Sequence, residues 1–290
     1  MFGRATIFGP SNPTTERRRT WKRLLALLTA VVLASLAATS AGAITRGGTL
    51  DGDDHPYVGL MLALDADGAP LWRCTGTLIS PTVFVTAGHC TESPAASAEV
   101  FFQSDLEPDP AVFGYPFGPY DASTHGTTYV HPLFDPDAFY LYDLGVVKLD
   151  EPVILSEYAS LPSAGFVDTL ANGRKNNSVT VVGYGLQAAS SNPVKPEKTV
   201  AAKTRYQAEL MIVNTRGAAG IGNLPDSNSM MLSGDAKHGG TCFGDSGGPT
   251  LVGDTLLAVT SFGLNGNCAG VGGVFRIDRQ AELDWISSFE

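Results

Sequence analysis

The sequence predicts an all-β protein with many turns, on three observations. Its 290 residues include 33 Gly and 18 Pro, which punctuate strands and weaken helices. Few long apolar patterns run at helical spacing. Short β-branched or aromatic runs stand instead between turn signals, as at Tyr57–Leu64, Leu71–Ile79, Thr82–Thr86 and Thr127–Val130. The length suffices for two domains of ordinary size.

Taken in order, the chain opens on a targeting segment. Arg17-Arg18-Arg19 and Lys22-Arg23 form a basic flank, and Leu24–Ala38 is a largely apolar run of 15 residues. A membrane span needs about 20. Ala41-Gly42-Ala43 supplies the small-x-small pattern of a signal-peptidase site. Residues 1–43 therefore read as a signal peptide and 44–290 as the mature protein. An uncleaved membrane anchor is the rival reading, and the flanking residues fit a twin-arginine signal poorly.

Asp51-Gly52-Asp53-Asp54 and Asp65-Ala66-Asp67-Gly68 lack the spacing of a calcium loop. The second lies between two strand-like runs and reads as the Asp-Gly turn of a hairpin. Glu92 to Tyr120, rich in Pro and aromatic residues, reads as loop. So do His131, which precedes Pro132, and the polar stretch Ser190–Lys203. Pro152–Pro162 reads as a linker between halves. A terminal helix is expected over Arg279–Phe289, capped by Asp278, with Leu283, Ile286 and Phe289 on one broad face.

Six of the 19 Lys/Arg and one of the 29 Asp/Glu precede Ile44, so the remainder carries 13 basic against 28 acidic residues, a net of −15. Such a surface repels nucleic acid and anionic membrane. Neither is expected as a partner once the signal is removed. Cys74, Cys90, Cys242 and Cys268 make an even count, which in a secreted chain reads as disulfides with three connectivities open. Zinc is the rival reading, but no C-x-x-C pair exists. No metal or cofactor is expected.

Three stretches carry chemistry. Thr241–Pro249 is a turn that presents one hydroxyl, with Gly244, Gly247 and Gly248 within two residues of Ser246. Such a serine is a nucleophile if a base sits beside it, and the N–H groups of Gly244 and Ser246 would form an oxyanion hole. A glycine-rich loop with an incidental serine is the bland alternative. Val83–Cys90 runs as a strand into a tight Ala-Gly turn and brings His89 to the strand end. His55, His125, His131 and His238 lack that context. Asp143 opens the mostly apolar strand Asp143–Leu149.

Gly244-Asp245-Ser246-Gly247-Gly248-Pro249, Thr86-Ala87-Gly88-His89-Cys90 and Asp143-Leu144-Gly145-Val146 occur in the order His, Asp, Ser. Together they resemble the trypsin/chymotrypsin-like serine proteases, over most of residues 44–290. Gly88 and Gly145 each stand where the family usually has alanine. Val179–Gly185 resembles a further family strand, with Tyr184 for Trp.

The resemblance implies two packed six-stranded antiparallel β-barrels, about 44–160 and 161–290, with the site in the crevice between them and the terminal helix following. It implies Ser246 as nucleophile, His89 as general base and Asp143 as its orienting carboxylate. It selects Cys74–Cys90 and Cys242–Cys268 as the disulfides. It implies that a free Ile44 ammonium pairs with Asp245, although Ile44-Thr45-Arg46-Gly47-Gly48 departs from the usual Ile-Val-Gly-Gly. Cleavage after Ala43 would itself expose that terminus.

The pocket implied is built from Gly240 at the floor, Thr241, the wall Ser261-Phe262-Gly263 and Gly272 or Gly273 opposite. With no acid there, a large apolar or aromatic side chain before the cut is expected, each buried methylene adding about 0.8 kcal/mol. A preference for small side chains is second. Thr260 argues against the Glu-specific branch, which has histidine there. The expected protein is a secreted, monomeric endopeptidase acting on protein or peptide substrates. Its alternatives are an inactive binding module on the same fold and an esterase, for which the strand–helix elbow is missing.

Overall fold

β2 (Val58–Leu64) is buried along its whole length, and Asp65–Gly68 turns it back into β3 (Pro70–Ser80). Asp65 Oδ1 accepts the N–H groups of Asp67 and Ala69 at 3.0 and 2.8 Å, the local bonding that makes aspartate a turn former. The computed structural model describes residues 44, 47–109, 111–172, 177–187, 202–215, 217, 228–234, 239–264 and 266–290. The expected signal peptide, most of the Ser190–Lys203 loop and residues 235–238 lie outside these.

β4 (Val83–Thr86), β5 (Ser97–Phe101), β6 (Thr124–Val130) and β7 (Gly145–Leu149) complete a closed barrel in the order β2-β3-β4-β7-β6-β5. Closure leaves no free edge, and Leu60, Phe84, Val100 and Val146 fill its core. β5 corrects the sequence reading, which took 92–120 as loop. Five residues carrying a charged Glu99 give little strand signal of their own. Pairing with β2 on one side and β6 on the other holds the strand. Glu99 is buried and accepts the Ser123 hydroxyl at 2.5 Å.

The second barrel runs β9 (Tyr206–Asn214), β10 (Ser229–Leu232), β13 (Gly272–Arg276), β12 (Thr255–Gly263), β11 (Pro249–Val252) and β8 (Ser178–Gly183), with β8 pairing β9 to close it. β9 alternates buried and open positions, with Ala208, Leu210 and Ile212 inward. β1 (Thr49–Leu50) pairs with Gln207 and Tyr206 of β9. This short strand thus lies on the second barrel, although the first barrel follows it in sequence.

Asp51 explains this strap. Its carboxylate takes the buried Arg205 Nε at 2.7 Å, while the same guanidinium donates to Val58 O at 2.9 Å. A buried ion pair adds little net stability but is costly to break, so it fixes where the strap lies. α2 (Phe166–Asn172), not anticipated from sequence, follows the linker. α3 (Gln280–Ser287) is shorter than expected, and Asp278 does not cap it. Asp278 is buried and instead takes both Arg276 Nε and Nη2 at 2.9 Å and the Val167 N–H at 2.8 Å. α3 reaches back to the first barrel, with Trp285 edge-on to His131 and Phe289 tilted against Tyr129, each at 5.0 Å.

Candidate active site

β4 ends at Thr86, and the chain passes through Ala87 into α1 (Gly88–Thr91). His89 therefore stands on one helical turn just beyond the strand. Its Nδ1 lies 2.9 Å from Asp143 Oδ2 and 3.1 Å from Oδ1, and its backbone N–H donates to Oδ1 at 2.9 Å. Asp143 is fully buried and also accepts the Ser261 hydroxyl on Oδ2. A carboxylate held by these donors fixes the imidazole with its proton on Nδ1 and Nε2 free. Burial opposes charge on His89. Asp143, as neighbouring charge and hydrogen-bond partner, and then Glu92 outweigh it and hold the imidazole pKa above its ordinary value.

The turn before Asp143 is braced from outside. Tyr142 has a φ of 56°, a left-handed conformation that costs of order 1 kcal/mol for a side chain of this size. His131 stacks on the Tyr142 ring at 5.3 Å with planes 4° apart, and its N–H donates to Leu144 O at 2.9 Å. The sequence reading left His131 in a loop. It is buried, and that burial lowers its pKa. Stacking and the bond to Leu144 make it a positioning residue for Asp143.

Ser246 sits on a turn stitched by backbone bonds. Asp245 N–H donates to Cys242 O at 3.0 Å, Gly248 N–H to Asp245 O at 2.8 Å, and Gly247 N–H to Thr260 O at 2.7 Å. Gly244 at φ +95° and Gly247 at φ +77° need glycine, and a Cβ on Gly247 would fall 2.0 Å from Thr86 Oγ1. Thr75 of β3 clamps this turn from the other barrel. Its N–H donates to Ser246 O and its hydroxyl to Gly244 O, both at 2.8 Å. Neither the Gly244 N–H nor the Ser246 N–H donates to any described acceptor, so both are free to serve a ligand.

His89, Gly244 and Ser246 line one open cleft of about 680 Å³, together with Trp72, Arg73, Glu92, Thr241, Phe262 and Gly263. No hydrogen bond joins His89 to Ser246. In unliganded enzymes that bond is commonly long and tightens with substrate. Cys74–Cys90 and Cys242–Cys268 are bonded as the resemblance implied, across 16 and 26 residues. Cys74, His89 and Cys90 offer ligand atoms within 4.8 Å of one another, but both sulfurs are in the disulfide, which leaves no thiolate for a metal.

A family model described as Trypsin matches residues 52–286. The chain belongs to the trypsin family. It is a serine endopeptidase with the chymotrypsin fold. It is 28% identical over 237 residues to trypsin of Saccharopolyspora erythraea, covering 80% of this chain and 92% of that protein. It is 27% identical over 222 residues to brachyurin of Leptuca pugilator, covering 75% and 88%. A solved collagenase structure superposes with a TM-score of 0.61 at 22% identity, covering 84% of this chain and 97% of that one.

Within this trypsin-family frame, the two missing alanine methyls have physical causes. A Cβ on Gly88 would meet Phe134 Cδ2 at 2.9 Å, and one on Gly145 would meet Thr91 Oγ1 at 2.4 Å and Ala87 O at 2.5 Å. Neighbouring side chains and the backbone of Ala87 and Leu144 occupy those volumes. Tyr184, which stands where the resemblance expected Trp, is fully buried, accepting Arg205 Nη1 at 3.3 Å and donating to Gln103 O at 2.8 Å. Of the expected pocket residues, Thr241, Ser261, Phe262 and Gly263 line the cleft. Gly240 and Gly272 line a separate cavity of about 10 Å³ that shares Thr241, Gly263, Leu264 and Cys268 with it. Gly273 lines neither, because the Phe262 ring covers it: a Cβ there would fall 2.2 Å from Phe262 Cζ.

Asp245 is wholly buried and accepts the Gly185 and Cys242 N–H groups, each at 2.8 Å. Burial outweighs those bonds and the nearby charge of Arg73 and pushes its pKa up to about 7. No described cation bonds to it. The Ile44 side chain is fully buried among Val167, Val179 and Leu210 of the second core.

Proposed function

We propose that the protein is a secreted endopeptidase in which Ser246 attacks the peptide carbonyl while His89 takes its proton. One observation carries this: His89, held by the buried Asp143, shares a single cleft with the Ser246 hydroxyl and the two unengaged N–H groups of Gly244 and Ser246. Asp143 orients the imidazole and stabilises it once protonated. The two N–H groups hold the oxyanion, a term worth about 3–4 kcal/mol per donor. His89 then gives its proton to the leaving amine, and water, activated in the same way, releases the acyl-enzyme.

Replacing Ser246→Ala lowers turnover by a factor on the order of 10⁶. A purified variant that cleaves near the wild-type rate overturns the assignment. An inactive binding module predicts no reaction of Ser246 with a phosphonylating probe, which separates it from the enzyme.

For the residue before the cut we infer a large apolar or aromatic side chain. The open cleft supports this, with no acid on the Thr241–Gly263 side among the described residues. Several relatives carry the name trypsin, but Gly240 offers no carboxylate for Lys or Arg. A preference for small side chains is favoured by one observation, that Gly240 faces a cavity of only about 10 Å³. Cleavage profiling on a peptide library decides between them.

Secretion is inferred from the basic, apolar and small-residue pattern before Ile44 and from two disulfides, which persist in oxidising compartments. No helix among the described residues is long and apolar enough to cross a membrane. Cleavage after Ala43 would free the Ile44 ammonium to pair with buried Asp245, and N-terminal sequencing of secreted protein should begin at Ile44. Any other first residue sinks this.

A further inference from the structure

We propose that Arg73 makes this enzyme select an acidic side chain within the first two residues after the cut, and this rests on the proteolytic reading above. Four arginines lie among the described residues. Arg205 pairs with Asp51, Arg276 with Asp168 and Asp278, and Arg279 with Asp168. Arg73 alone makes no ion pair or hydrogen bond with a described group, although its charge acts on the buried Asp245 carboxyl. It is half-buried on β3 and lines the cleft. A half-open guanidinium in the reaction cleft, with no ion-pair partner among the described residues, is placed to recognise an anion of the substrate.

Its place fixes which part of a substrate it meets. A Cβ built on Gly244 would lie 3.1 Å from Arg73 Nε and 3.6 Å from Nη2. The guanidinium therefore borders the glycine whose N–H faces the scissile carbonyl. The side chain before the cut lies toward Thr241, Gly263 and Cys268. Trp72, Arg73 and Cys74 of β3 and Glu92 supply a further part of the lining. The departing peptide runs there. Glu92 stands on the His89 side, where its charge acts on the imidazole, and forms no ion pair with Arg73. An aspartate or glutamate on the departing strand reaches Arg73, whose planar fork bonds a carboxylate at two points.

The test uses matched quenched-fluorescent peptides that differ only in Asp, Glu, Ala or Lys at the first or second residue after the cut. The readout is the acid-to-lysine ratio of kcat/KM within each protein, so a general change in activity cancels. Wild type favours the acid by about tenfold at one of the two positions, and the preference shrinks at high salt. Arg73→Gln brings the ratio near one, Arg73→Glu reverses it, and Arg73→Lys keeps the acid ahead. A ratio retained in Arg73→Gln, or a uniform loss on all peptides with the ratio intact, overturns the proposal. An ester substrate with no residue after the cut tests the parent reading separately. If wild type hydrolyses neither ester nor peptides, that reading fails and this one with it.

Discussion

Asp245 gives the sharpest quantitative expectation. In the chain that retains residues before Ile44, its carboxyl is wholly buried with two backbone donors and a pKa pushed up to about 7. An unfolded aspartate titrates near 4. Between these values the folded protein holds a proton that the unfolded chain has released. Stability from this group is therefore full below about pH 4 and falls as pH rises toward 7, by about 1.4 kcal/mol per unit. About three units give an upper bound of about 4 kcal/mol. Other carboxylates titrate in the same range, so the measurement is a difference. Urea unfolding is followed from pH 4 to 7.5 in a Ser246→Ala background, which prevents self-digestion, with and without Asp245→Asn. The amide must turn its NH₂ toward one of two N–H donors, but that cost is independent of pH. Only the slope of the difference is read. In a chain beginning at Ile44, the proposed pairing of the new ammonium with the carboxylate would remove the downward slope. That pair would itself weaken only at alkaline pH, as the amine loses its proton. A difference flat from pH 4 to 7.5 in the uncleaved chain refutes the buried, unpaired carboxyl. An identical slope in both chains refutes the pairing with Ile44.

Three further outcomes follow from the site. Asp143→Asn presents an amide to His89 Nδ1, disturbs the tautomer and should lower kcat by about 10⁴, measured on a chromogenic ester with folding checked by circular dichroism. Glu92→Gln removes one of the charges that raise the His89 pKa. The acid limb of the kcat/KM profile, set by deprotonation of that imidazole, should move to lower pH, and an unmoved limb counts against this. Gly145→Ala sets a methyl against Thr91 Oγ1 and the carbonyl of Ala87. Overpacking of this kind costs about 1–3 kcal/mol, seen as a lower Tm, and it should cut activity as well because α1 carries His89.

The catalytic motifs were legible because their chemistry demands particular residues at fixed spacing. Gly244 and Gly247 sit at positive φ, and a serine turn that tight admits few other sequences. The supports of the site were not legible. Thr75 is one threonine among many, and nothing local says that its hydroxyl will reach Gly244 O from 169 residues away. His131 looked like any loop histidine because its partner Tyr142 is 11 residues on and stacks only after the strands pair. Asp278 had the right residue type at the right place to cap α3, but the buried Arg276 competes for it. β5 was hidden for the converse reason, since its strand character comes from two neighbours rather than from Ser97–Phe101 itself.

Gly88 and Gly145 show how such a pattern can drift without loss of the machinery. Each lacks a methyl that the family usually carries, and read singly each looks like a weakened motif. In the fold, the Phe134 ring with the Leu144 backbone, and the Thr91 side chain with the Ala87 carbonyl, stand where those methyls would be, and both glycines flank the His89–Asp143 pair. The volume has moved to a neighbour, and α1 still packs closely on β7. Close packing tolerates this exchange because it responds to total volume and not to which residue supplies it. Phe134→Ala should therefore loosen His89 more than the loss of an ordinary loop phenylalanine would. Adding Gly88→Ala to Phe134→Ala should recover part of the stability, whereas Gly88→Ala alone should lower it. Additive losses in the double variant would show that ring and methyl do not share one space.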